Sequence, residues 1–416
     1  MSDSILAAID VGSSKVCTLV AEVTSDHGLR VLGVGITPSQ GVKKGMVDNI
    51  QQASDAIATS IERAERSSGS RIISAHVSIG GTHTESFNNR GIATIPGQER
   101  PITELEIERG MEGARNLNLP TNREILHEIA RYFVVDGQEH VSDPIGMFGQ
   151  RLDVDVHIVS GGVTAIQNLG QCIESAGVEI ESLVFSPLAA ADAVLDQEER
   201  EQGVVLVDIG GGTTDIAVFV EGAIFHTSVL PVGGEHLTRD LVAGLKAPFS
   251  SVEELKIHHG SALPSRIEVD EIVEVEAFGG QRTKSVSRRK VAEILQARVE
   301  EILEMVYIDV RRAGFDEMIA AGIVLSGGTA ALEGIAELSE MVLHMPVRIG
   351  VPRGVLGLSD SLNSPAYGTS VGLLRWAIEE DDHLSNGHKT DLHLPILEMS
   401  GMFDSARKWL KALVPK

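Results

Sequence analysis

Two aspartates, Asp10 and Asp208, each close an apolar run and are each followed by an apolar residue, a glycine and small or hydroxyl-bearing residues. In the later copy, residues 204–219, the turn reads Asp208, Ile209, Gly210, Gly211, Gly212, Thr213, Thr214, Asp215. Glycines let the backbone turn tightly and leave no side chain in the way of a close ligand. Successive N–H groups in such a turn form an anion-binding concavity, and Thr213 and Thr214 add hydroxyl donors. A carboxylate set back at the strand end suits a hydrated Mg²⁺ rather than direct contact with phosphate. Asp215, on the returning strand, reads as a brace for its hairpin. Together these residues describe a site for a polyphosphate with its cation.

A single glycine triplet is equally well explained as a hairpin beside a core strand. The earlier copy, residues 6–20, argues against that explanation. Aligning Asp10 with Asp208 places Gly12 on Gly210, and Ser13 and Ser14 on Gly211 and Gly212, with Lys15 following. Two hairpins of one design predict two similar domains facing each other across one phosphate chain. They resemble the two phosphate loops of the actin-like ATPase superfamily, which also holds sugar kinases and chaperone nucleotide domains. That resemblance implies an α/β, ribonuclease-H-like fold with two domains around a nucleotide cleft.

The elements that must hold these hairpins are readable from periodicity. Residues 31–36 and 72–79 read as strands, and residues 48–66 as a helix with Ile50, Ala53, Ile57 and Ile61 on one face. From about Thr82 the pattern changes: a helix at 103–117, strands at 131–135 and 151–159, and a loop rich in Pro and Gly between them. Helices at 162–175 and 187–195 follow. In the second half, Gly233 and Gly234 open a helix ending near Leu245, residues 251–258 form another, and residues 267–275 alternate as a half-exposed strand. Residues 288–313 carry one long apolar stripe. A strand at 322–326 runs into Gly327 and Gly328, which could let a flat base lie on the backbone, and a helix starts at Leu332. The segment from Pro365 opens a closing helix ending near Ile378.

The chain has 416 residues and a formal net charge of −24, which excludes a nucleic-acid partner because phosphate backbones would be repelled over most of the surface. Its two cysteines, Cys17 and Cys172, stand in apolar surroundings without CxxC spacing and read as free thiols of a reducing compartment. Neither a secretion signal nor a run of ~18 apolar residues is present, so a cytosolic protein is expected. The pair His258–His259 has no third ligand nearby and reads as structural or exposed.

The last residues are the exception to this acidic balance. Residues 380–400 begin with an acidic run and read as a tether. On a helical wheel of residues 401–416, Met402, Phe403, Ala406, Trp409, Leu410, Leu413 and Val414 share a face flanked by Arg407, Lys408 and Lys411. Such a helix lies in a membrane interface, each cation adding about 1 kcal/mol on an anionic leaflet. The alternative is a helix packed into a groove of its own body. A single tail is marginal, so several on one filament would attach through effective concentration.

The insert, the tether and the basic amphipathic tail together resemble the FtsA family of bacterial division proteins, over nearly the whole chain. The insert carries this most specifically, through His127-Glu128-Ile129, Val135-Asp136-Gly137, Asp143-Pro144-Ile145-Gly146-Met147 and Arg151-Leu152. The resemblance implies a first core subdomain at 1–83, an inserted subdomain at 84–161, and the remainder of the first domain at 162–197 and 360–379. A second core subdomain would occupy 198–228 and 306–359, and a second small one 229–305. It further implies ATP between the domains, held by Gly12, Ser13, Ser14 and Lys15 on one side and Gly210, Gly211, Gly212, Thr213 and Thr214 on the other. Asp10 and Asp208 would hold the Mg²⁺ shell, Glu253 and Lys256 the ribose and base, and Gly233, Gly234, Gly327 and Gly328 the rest of the nucleotide. Phe403, Arg407, Lys408, Trp409, Leu410, Lys411 and Leu413 would meet anionic lipid. The basic residues Lys284, Arg288 and Arg298 lie where the family receives the acidic C-terminal tail of FtsZ; a solvated helix face would look the same. Self-assembly into filaments, recruitment of other division proteins and a place on the cytoplasmic face of the membrane at the septum complete the expectation. Ser186 stands where catalytic relatives commonly carry Glu or Gln, so slow hydrolysis follows. The rivals are the related pilus-assembly ATPase and a small-molecule kinase of the same superfamily.

Overall fold

A computed structural model describes residues 5–24, 28–97, 100–116, 118–279, 283–357 and 362–386. The chain opens with β1 (Ile5–Val11), β2 (Lys15–Val23) and β3 (Leu29–Pro38), then the two-residue strands β4 (Val42–Lys43) and β5 (Met46–Val47), helix α1 (Ile50–Ser68) and β6 (Ser74–Ile79). Asn49 caps α1 by accepting the Gln52 N–H at 3.1 Å, which moves its start past Asp48. A separate module follows: β7 (Glu85–Thr94), α2 (Glu104–Arg115), β8 (Arg123–Val135), β9 (Gln138–Val141) and β10 (Arg151–Gly162). The chain then returns through α3 (Val163–Ser175), β11 (Glu179–Phe185), α4 (Ser186–Val194) and α5 (Gln197–Gln202).

The second half repeats the plan with β12 (Val204–Ile209), β13 (Thr214–Val220) and β14 (Ala223–Leu230), helices α6 (Gly234–Leu245) and α7 (Phe249–His259), and the hairpin β15 (Ile272–Glu276) and β16 (Thr283–Ser287). After them come α8 (Arg288–Ala313), β17 (Gly322–Ser326), α9 (Ile335–Leu343), β18 (Val347–Ile349), β19 (Val355–Gly357) and α10 (Gly368–Asn386).

Among the described residues the strands form a six-stranded sheet ordered β11-β6-β1-β2-β3-β19 and a five-stranded sheet ordered β14-β13-β12-β17-β18. The module from β7 to β10 has its own sheet, β7-β10-β8-β9. In both large sheets an antiparallel trio is joined to parallel neighbours, so the two hairpins occupy equivalent central places. Burial explains why strand β12 is apolar without alternation. Val204 and Leu206 face the core shared with the first domain, while Val205, Val207 and Ile209 face α6, α8 and α9. The inserted sheet closes on a third core around Phe133, Leu152, Val154 and Met111.

Several expected boundaries change: the strand expected at 131–135, for one, begins at Arg123. The strand expected at 267–275 is only Ile272–Glu276, because Pro264–Arg266 coils into a 3-10 turn ahead of it. A second such turn, Gly328–Ala331, delays the helix expected at Leu332 to Ile335. The closing helix runs to Asn386, taking in the acidic run that was read as the start of a tether at 380; glutamate propagates a helix well even in a like-charge run. The expected membrane residues Phe403, Arg407, Lys408, Trp409, Leu410, Lys411 and Leu413 lie outside the described residues. No helix among the described residues is long and apolar enough to cross a membrane.

Candidate functional site

The hairpins β1–β2 and β12–β13 turn in the same way. The Gly12 N–H donates to the Lys15 carbonyl at 3.0 Å, and the Gly210 N–H to the Thr213 carbonyl at 2.9 Å. Their registers match too: Asp10 stands opposite Cys17, and Asp208 opposite Asp215. The turns face each other at contact distance. A Cβ on Gly211 would fall 2.9 Å from Ser14 Cβ, and one on Gly212 2.7 Å from Ser13 Oγ. Glycine at these positions is what allows the two halves to meet.

Between the turns lies a cavity of about 100 Å³, lined by Asp10, Gly12, Ser13, Ser14, Lys15, Asp208, Gly210, Gly211, Gly212, Thr213, Gly327 and Gly328. Most of the expected phosphate residues therefore converge on one space. The space is smaller than the ~300 Å³ at which ligand pockets begin. Residues that the sequence did not assign to ligand also line it, among them Asp215 and Ser186. Three carboxylates thus share a desolvated space. Asp10 accepts hydroxyl hydrogen bonds from Ser78 and Ser370, each at 2.9 Å. Burial, with the nearby charge of Asp10, pushes the Asp208 carboxyl up to about 7. Burial and Asp208 push Asp215 well above the ordinary carboxylate range, and its Oδ1 is buried without a hydrogen-bond partner. The Lys15 ammonium offsets only part of this, pulling Asp208 down less than burial and Asp10 push it up, and a divalent cation fits the three carboxylates. Among the described residues no three His, Cys, Asp or Glu side chains are close enough to hold a bare ion, which suits a cation bound through water and phosphate.

Other expected contacts fall elsewhere. Thr214 is fully buried and its hydroxyl donates to the Val232 carbonyl at 2.9 Å, so it does not reach the cavity. The Lys15 ammonium donates to the Ala366 carbonyl at 2.5 Å and lies 5.0 Å from the centre of the Tyr367 ring, tying the first turn to the start of α10. Gly233 and Gly234 brace the second turn from behind. The Gly234 and Glu235 N–H groups donate to the Gly210 and Gly211 carbonyls at 2.9 and 2.8 Å, and a Cβ on Gly233 would lie 2.6 Å from the Gly210 oxygen. The first amides of α6 are therefore spent on the loop rather than left for an anion. Glu253 and Lys256 form an ion pair at 2.8 Å, with the Lys256 ammonium also donating to the Gly234 carbonyl at 3.1 Å.

The basic residues expected to meet an acidic peptide are engaged inside the chain. Arg298 makes a two-pronged pair with Asp240 at 2.6 and 3.0 Å and also meets Glu301. Arg288 bridges Glu271 and Glu333 at 3.0 and 2.9 Å, and Lys284 donates to the Leu245 carbonyl at 3.2 Å. Arg288 and Arg298 staple α8 to its neighbours and their charges are met within the chain, whereas Lys284 is exposed and keeps its charge.

Two β-hairpins of equal design, closing on one cavity from two sheets of related topology, define an actin-like ATPase fold. Solved structures agree. The PilM–PilN type IV pilus biogenesis complex superposes with a TM-score of 0.63 at 15% identity, covering 90% of this chain and 98% of that one. MreB5 of Spiroplasma citri bound to ADP superposes at 0.54 and 16% identity, covering 92% and 99%. The family model for cell division protein FtsA matches residues 205–372, and that for the SHS2 domain inserted in FtsA matches residues 81–160. The cell division protein FtsA of Pseudomonas aeruginosa is 42% identical over 379 residues, 91% of this chain and 90% of that protein. The Neisseria meningitidis and Escherichia coli K12 proteins of the same name are 39% and 34% identical, each matched over 91% of its own length. The chain belongs to the FtsA family of cell division proteins.

Proposed function

We propose that this protein binds Mg·ATP between its two hairpins, self-assembles, and tethers FtsZ filaments to the inner face of the cytoplasmic membrane at the septum, where it helps bring in later division proteins. The observation that carries the nucleotide reading is the shared cavity of the two turns, with Asp10 and Asp208 behind it. Bound there, Mg²⁺ would neutralise the terminal phosphates. The chain's own part is to align the phosphates against the Gly12–Lys15 and Gly210–Thr213 turns. Hydrolysis is slow in this reading. Ser186 supplies no carboxylate or amide to orient water, and burial together with Asp208 raises Asp215 well above the ordinary carboxylate range. Single-turnover hydrolysis should therefore stay far below the 1–100 s⁻¹ typical of dedicated phosphoryl-transfer enzymes; a rate in that range overturns this part. Pilus assembly and small-molecule phosphorylation are not favoured, because family membership covers the insert as well as the nucleotide core.

Membrane attachment rests on residues 401–416 and their amphipathic pattern. Co-pelleting with anionic vesicles should be lost when these residues are removed, and with Trp409→Glu, while ATP binding persists. Recruitment of FtsZ to the vesicles by the full chain tests the tether. Unchanged pelleting of either altered chain sinks the membrane reading, and FtsZ left in the supernatant sinks the tether.

A further inference from the structure

Next to the phosphate cavity, and meeting it only at Gly212, lies a larger cleft of about 630 Å³. Three parts of the chain wall it: the Lys43–Lys44 turn with Asn168 of α3, His83 and Asn122 at the root of the inserted sheet, and Arg239 of α6. Gly212 apart, nothing in the nucleotide reading uses it. Its size is that of a small-molecule pocket, ~300–1,000 Å³.

The wall chemistry selects among ligands. Lys43 pairs with Asp48, and Arg239 reaches Glu235 only at 3.5 Å. Lys44 has no ion-pair partner among the described residues, so the cleft carries an uncompensated positive charge. Both ring nitrogens of His83 are buried with no hydrogen-bond partner. Burial and the Arg123 charge hold that ring neutral, at a pKa of about 4, so it offers one donor and one acceptor. Two carboxamides, Asn122 and Asn168, suit hydroxyl groups, whereas no Phe, Tyr or Trp ring among the described residues lines the wall to stack a base. We propose that this cleft is a second ligand site, for a small phosphate ester of a polyol, separate from the nucleotide site. The phosphate would sit at Lys44 and Arg239, and the hydroxyls at His83 and the two asparagines. Because the cleft meets the phosphate cavity at Gly212, the ester's charge faces the terminal phosphate of a bound nucleotide. The ester should then bind more weakly beside ATP than beside ADP, by about 5-fold or more, with the reciprocal effect on the nucleotide.

The test is calorimetric titration of the full chain, saturated with Mg·ADP, using glycerol 3-phosphate, inorganic phosphate and glycerol at matched ionic strength. Saturable one-to-one binding of the ester is expected, weaker for inorganic phosphate and undetectable for glycerol. Lys44→Ala should weaken it at least 10-fold. So should Arg239→Ala, where the side chain is exposed. Equal affinity for inorganic phosphate would show an ion site and overturn the ester assignment. Affinity unchanged in both variants, or heats equal to those of glycerol, overturns the site itself. ADP binding is read separately with a fluorescent analogue. If that fails, the nucleotide reading falls, and the cleft is judged by the same titrations without nucleotide.

Discussion

Replacing Gly327 with valine is expected to abolish ATP binding and to destabilise the chain by about 2–5 kcal/mol. Strand β17 lies parallel to β12 with Ser326 opposite Asp208, and the chain must then cross the end of β12. It does so at Gly327, with φ of 85° and ψ of 166°, a backbone region open essentially to glycine alone that costs a residue with a Cβ about 1–3 kcal/mol. The N–H of this residue donates to the Pro365 carbonyl at 3.0 Å, which holds the conformation in place. A Cβ there would lie 2.4 Å from Asp208 Oδ1 and 2.5 Å from the Ile209 carbonyl oxygen. The side chain can relax only by displacing the carboxylate and the second turn, so stability and affinity should fall together. Gly328 provides the comparison. Its added Cβ would meet only Ala366 Cβ, at 3.9 Å, so Gly328→Ala should unfold like the wild type and lose ATP affinity only if the nucleotide lies against that backbone. Denaturant unfolding and nucleotide titration of both variants check this. A Gly327→Val chain with wild-type stability and affinity would show that the crossing does not hold Asp208.

What was legible beforehand is what repeats. The two Asp-x-Gly turns could be aligned with each other, and alignment carries register, so Asp10, Asp208 and most of the cavity-lining residues followed from the sequence. What stayed hidden is what differs between the copies. Asp215 has Cys17 as its counterpart in the first hairpin, so the repeat gave no reason to put a third carboxylate at the site. The pairing of Asp208 with Asp215 across a tight hairpin was the signal that could have found it. Thr214 was misplaced because neighbouring strand residues point to opposite faces, and its hydroxyl turns to Val232. The partners of Arg298 and Arg288 lie up to 58 and 45 residues away in the chain. A basic stretch therefore looked free when its acids were merely distant in sequence. Gly233 and Gly234 were given as nucleotide contacts through the family resemblance, whereas a Cβ on Gly233 would meet the turn's own carbonyls and the Gly234 N–H is bonded to one of them.

Acidity should act on stability and on nucleotide affinity in opposite directions, through the same carboxylate. Asp208 is raised from 3.8 to about 7 by burial first and by Asp10 second. Between these values the folded chain holds a proton that the unfolded chain releases, so stability is greatest below about pH 4 for this group. It is lost as the pH rises towards 7, where the buried charge must form. The displacement is worth about 4 kcal/mol at most, less the share recovered by water reaching the cavity. Asp215 is displaced in the same direction. Binding runs the other way, because a water-bound cation needs the carboxylate ionised. Mg·ATP affinity should therefore rise with pH, approaching tenfold per pH unit below 7, and level off above it. Asp208→Asn removes the titrating group while keeping its size. That chain should be more stable than the wild type at pH 8, should show a flatter stability profile between pH 4 and 7, and should bind Mg·ATP weakly at every pH. Chemical unfolding and nucleotide titration across pH 5–8 read both effects. If the asparagine chain keeps the wild-type pH slope in affinity, another group governs the cation, and the proton-linked role of Asp208 is refuted.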